Sequence, residues 1–148
     1  MTGGKPLVRY WHLWTDAEGC SRQRQCALTD FELKSIQPPA QPQWQGERTS
    51  GPMTIMVTVL PPGWIGDWHE NPKPQWIVPL SGRWFVESMD GERVEMGAGE
   101  ISFGADQHCR EASGRRGHRS GTVGDEPAVL MIVQLDEAGA PRPPCAFR

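Results

Sequence analysis

The residues whose types and spacing could do chemistry fall between Gly63 and Gly82, in the run GWIGDWHENPKPQWIVPLSG. Asp67 and His69 lie two apart, so in an extended segment both side chains leave the same face. Gln75 heads the apolar run WIVPL and is the next polar side chain placed to point inward. A carboxylate, an imidazole and an amide that share one interior can ligate a divalent ion. The imidazole alone can act as a general base near neutral pH. Trp64, Trp68, Trp76 and Trp84 surround the same stretch. Beside a polar site they are expected to wall a pocket for an apolar or aromatic ligand.

The elements that must hold these groups read as strands. Met53–Leu60 alternates Met, Ile and Val with Thr, and Pro61-Pro62-Gly63 ends it. Arg83–Glu87 follows Ser81-Gly82, Asp90-Gly91 supplies a hairpin turn, and Arg93–Met96 and Glu100–Phe103 continue the pattern. Residues 104–121 read as a long polar loop, and Ala128–Leu135 (AVLMIVQL) is the strongest strand in the chain. Upstream, Leu7–Trp14 and the stretch carrying Cys26, Leu28, Phe31 and Leu33 form an N-terminal hairpin. The Pro- and Gln-rich residues 37–52 read as an irregular loop. No stretch carries a helical period, so short strands at turn-punctuated spacing predict an all-β sandwich or barrel.

With 148 residues the chain can build one core, and its 37% hydrophobic content and net charge of -3 suit a soluble domain. Nothing basic enough to hold nucleic acid is present: Arg115, Arg116 and Arg119 form only a small local cluster. The chain has no apolar run of membrane-spanning length and no signal-peptide core, so it is expected to be cytoplasmic, with no membrane partner. In that compartment Cys20, Cys26, Cys109 and Cys145 are expected to be free thiols.

The chain's motifs, DWHENPKPQ, then LSG, DGE, GAGE and GHRSGTVGDEP, resemble those of the small single-domain cupins. Asp67 stands where that family has its first histidine and Gln75 where it has a glutamate, while the Gln75-to-Gly82 spacing matches. The resemblance implies a double-stranded β-helix, or jelly roll, over residues 53–136. Residues 1–52 would pack on it as N-terminal hairpin and loop, with 137–148 a tail that is disordered or strapped outside. It also implies that a second-motif histidine completes the site, with His118 favoured over His108 by its neighbours Gly117, Arg119 and Ser120. His69, Gln75, His118 and Asp67 would then hold Fe, Mn or Zn, if any metal is held, with His69 and His118 catalytic. His12 is expected to be a packed strand histidine.

The function implied is a small-molecule enzyme, either a metal-dependent dioxygenase or an isomerase or cyclase. The alternative is a metal-free or non-catalytic cupin that binds or senses a small ligand. The apolar surface of the N-terminal strands is expected to join a partner subunit in a two-fold dimer.

Overall fold

In a computed structural model the chain is described over residues 3–136 and 142–148, and every regular element there is a strand. In chain order these are β1 (Val8–Thr15), β2 (Ser21–Leu28), β3 (Glu32–Lys34), β4 (Gln43–Gln45), β5 (Met53–Leu60) and β6 (Gln75–Ser81). They are followed by β7 (Arg83–Ser88), β8 (Arg93–Gly97), β9 (Ile101–Ala105), β10 (His118–Val123) and β11 (Ala128–Leu135). Six form one sheet in the order β2-β1-β9-β6-β11-β5, and a second has the order β10-β7-β8. Single bridges Ile65↔Gly121 and His69↔His118 lay residues 64–69 along the free edge of β10, which widens the small sheet. The fold is a double-stranded β-helix.

The barrel interior is filled by Leu13, Leu60, Ile77, Val86, Met96 and Leu130, with Trp84 among them. A second core lies on the outer face of the large sheet, where Tyr10, Cys26, Phe103, Ala105 and Leu135 pack around Phe147. Alternation along β1 serves both, since Leu13 points into the barrel while Tyr10 and His12 point out. His12 is fully buried, and its Nδ1 accepts a hydrogen bond from the Cys145 amide at 3.2 Å. It has no partner for Nε2, and burial pushes its pKa down from 6.5 to about 4.

One expectation is corrected on this outer face. Cys26 and Cys145 form a disulfide across a sequence separation of 119, leaving only Cys20 and Cys109 as free thiols. No spacing rule ties a cysteine on β2 to one so far away in sequence, so only the folded sheet reveals the pair. Residues 142–148 lie along the outside of the large sheet. Phe147 is buried against Trp76 and Phe103 with ring centroids 4.9 and 4.7 Å away, and the Tyr10 hydroxyl donates to its carbonyl at 3.1 Å. Residues 137–141 of the expected tail lie outside the described residues. A second adjustment is local: within the loop read over residues 37–52, Gln43–Gln45 pairs with β3.

Candidate active site in the barrel mouth

A cavity of about 240 Å³ opens between the two sheets at the end of β5. Leu60, Ile77, Trp84, Leu130 and Ile132 form its apolar wall, and His69, Asn71, Gln75, His118 and Ser120 its polar one. It is small beside the roughly 300–1,000 Å³ of pockets that hold drug-sized ligands. Among the described residues no lysine or arginine lines it.

The two histidines are held together by main chain. The His69 amide donates to the His118 carbonyl and the His118 amide to the His69 carbonyl, both at 2.9 Å. In such a pair opposite side chains share one face, and the imidazole centroids stand 4.7 Å apart. Gly117 makes the approach possible. It has φ 79°, and a Cβ there would lie 2.2 Å from the His69 carbonyl oxygen.

Each ring has its Nδ1 committed. In His69 it donates to the Asp67 carbonyl at 2.7 Å, because a carbonyl oxygen can only accept. In His118 it meets the Asp106 carboxylate at 2.7 Å. Neither Nε2 has a partner among the described residues, so both rings offer that nitrogen to a ligand. Asp106 is fully buried just beyond β9 and takes three hydrogen bonds. His118 occupies Oδ2, while the Asn71 amide (2.9 Å) and side-chain Nδ2 (2.7 Å) occupy Oδ1. Burial by itself would raise the Asp106 pKa. The bonds from His118 and Asn71 and the attraction of the imidazole outweigh it, and the net direction is down. Asp106 is therefore a carboxylate, and it fixes His118 in the tautomer with Nε2 bare.

Behind the dyad the network continues. Gln75 Nε2 donates to Asn71 Oδ1 at 2.6 Å, and Gln134 Nε2 donates to Gln75 Oε1 at 3.0 Å. Gly104 leaves the space for it, since a Cβ there would stand 2.5 Å from Asn71 Nδ2.

His69, Gln75 and His118 thus line one cavity, and His108 lies outside it, exposed. Asp67 does not join them: it is exposed and does not line the cavity. The reason is the register. Ile65 to His69 spans four steps opposite the three steps from Gly121 to His118, so one extra residue bulges out and breaks the strict alternation between Asp67 and His69. The tryptophans also divide. Trp64 and Trp84 line the cavity. Trp68 lies outside with the Arg115 and Arg119 guanidinium groups 5.1 and 5.8 Å from its ring, and Trp76, one residue past Gln75, faces the outer core.

This donor set does not fit a divalent ion. Catalytic sites commonly use three protein ligands, and no three His, Cys, Asp or Glu side chains converge among the described residues. The nearest further group, the Gln75 amide, is neutral and already bonded at both its oxygen and its nitrogen. Asp106, Asn71 and Gln134 were not singled out from the sequence. The signal for Asp106 was its place directly after the apolar strand Ile101–Ala105, where a carboxylate needs buried partners.

No family model and no curated protein matches the chain. Among solved structures it is similar to protein NMB1881 from Neisseria meningitidis, with 15% identity over 60% of this chain and 79% of that one, at a TM-score of 0.46. It is also similar to the oxalate decarboxylase of Bacillus subtilis, a protein with Mn(II) centres, with 24% identity over 60% of this chain and 23% of that one, at a TM-score of 0.40. The chemistry of the site follows from its own geometry.

Proposed function

We propose that this chain is a small-molecule enzyme of the cupin type that moves a proton on a small, largely apolar carbonyl compound. The observation that carries this reading is the buried Asp106–His118 pair, with His118 Nε2 left bare on the cavity wall. An imidazole so oriented accepts a proton at Nε2, and the carboxylate behind it stabilises the imidazolium that results. His69 stands one ring away at the exposed mouth and in its protonated form presents Nε2–H to a carbonyl oxygen. One ring removes a proton from the carbon beside the carbonyl while the other donates to the oxygen, and the enol returns by the reverse steps. No electron pair leaves the substrate. With no lysine or arginine in the wall, a phosphorylated or multiply charged compound has no counter-charge.

The test is hydrogen–deuterium exchange at the carbon beside the carbonyl, followed by NMR across a panel of small aromatic and aliphatic ketones and keto acids in D₂O. Exchange should survive prior dialysis against a chelator. It should vanish in His118→Ala and fall about 10²-fold or more in Asp106→Asn. Exchange that stops on chelation and returns with a divalent ion would overturn the reading. So would ligands that bind the cavity while none exchanges.

A further inference from the structure

The second surface of note lies on the opposite side of the large sheet from the cavity. The strands β6, β11 and β5 run side by side there, and none of them carries a charged residue. Cross-strand register sets their outward side chains in rows. Val78, Met131 and Val57 form one row, and Trp76, Val133 and Ile55 another. The outer core around Phe147 covers this row at Trp76 and partly at Val133. Toward the β5 edge the face is bare, with Ile55 61%, Val57 57% and Val59 54% exposed.

Ordinary solvated sheets do not look like this. An outward face on an antiparallel sheet alternates to polar residues, and an edge strand is usually guarded by lysine, proline or a bulge. β5 has no charge or proline along Met53–Leu60, and it ends the sheet. Met53, Ile55, Val57, Val59 and Leu80 together expose roughly 500 Å² of apolar side chain, near the upper end of the largest patches on monomers. The half-buried Val78, Met131 and Val133 extend it toward the ~800 Å² that one partner contributes to a standard stable interface.

We propose that this β5–β11–β6 face is the interface between two copies of the chain, packed sheet against sheet about a two-fold axis. An uncharged patch meets its own image without like-charge repulsion, whereas a charged partner would find no counter-charge there. The N-terminal strands, expected from the sequence to form the contact, are less suited: β1 lies between β2 and β9 with both faces covered by its own chain. Exposed apolar residues on that side, Leu7, Val8, Leu33 and Ile36, are scattered over loop, the first position of β1 and a short strand.

Sedimentation or light scattering at about 10 μM tests this. The full chain should show twice the monomer mass, and Val57→Lys should raise the dimer dissociation constant about 100-fold or more. Leu33→Lys should leave it unchanged. Both positions are exposed, so the variants should keep the parent circular dichroism and melting cooperativity. A monomeric parent at this concentration would overturn the proposal. So would a dimer that Val57→Lys leaves intact, or one that Leu33→Lys breaks.

Discussion

Lowering the pH should unfold this protein partly through one side chain, His12. The ring is neutral in the folded chain, where burial holds its pKa at about 4 against 6.5 for the free side chain. Below pH 6.5 the unfolded chain takes up a proton that the folded chain refuses. Stability therefore falls as the pH drops from 6.5 and the loss is complete once the pH passes below the folded value near 4. A difference of about two and a half pH units corresponds to about 3 kcal/mol in full, of which about 1 kcal/mol should be gone at pH 5.5 and about 2 to 3 kcal/mol at pH 4.5. Other groups titrate in the same range, so the measurement is a difference. Urea unfolding of the parent and of His12→Asn, at pH 7.5, 5.5 and 4.5, isolates the His12 contribution. Asparagine places an oxygen where Nδ1 accepts from the Cys145 amide, and its smaller volume costs stability equally at every pH. The variant should lose less stability on acidification than the parent by the amounts given. Equal slopes for parent and variant, or a His12 ring that titrates near 6.5 by NMR, would refute the reasoning.

Two further outcomes follow from the same structure. Thiol counting under denaturing, non-reducing conditions should find two thiols, Cys20 and Cys109. Reducing the Cys26–Cys145 bond, or Cys145→Ser, should lower the unfolding free energy by about 2–5 kcal/mol, read from the denaturant midpoint with and without reductant. Gly117→Ala should cost at least about 2 kcal/mol, because a methyl group there strikes the His69 carbonyl in a left-handed backbone. It should also disturb the His69 and His118 ring signals in NMR spectra, while Gly114→Ala, whose Cβ would meet open space, should leave them in place.

Much of the architecture was legible because strand punctuation is a local property. Pro61-Pro62-Gly63, Ser81-Gly82 and Asp90-Gly91 mark strand ends wherever the sheet lies, and β5 and β7 follow from them directly, as β11 does from Gly124-Asp125-Glu126-Pro127. Gln75 and His69 could be placed toward one interior by counting. Asp67 could not, because the bulge that turns it away comes from pairing with β10, about fifty residues downstream, in a register that only the fold supplies. The polar network was invisible for a related reason. Asp106 and Asn71 sit in stretches without period, and their role depends on His118 arriving from a third segment. The disulfide and the burial of Phe147 likewise depend on two ends of the chain meeting across the outer face of one sheet.

That meeting has a consequence for how the chain acquires its structure. β1 can pair with β2 as soon as both exist, but its other side waits for β9, a parallel neighbour from late in the sequence. Even then Tyr10, Trp76 and Phe103 stay open to water until Phe147 docks. Contacts so remote in sequence must overcome loop-closure entropy before they reward it, which makes for a slow, high-contact-order folding reaction. During synthesis on the ribosome Tyr10 would stay uncovered until the segment carrying Phe147 emerges, and in that interval the nascent chain is most exposed to aggregation and to chaperones.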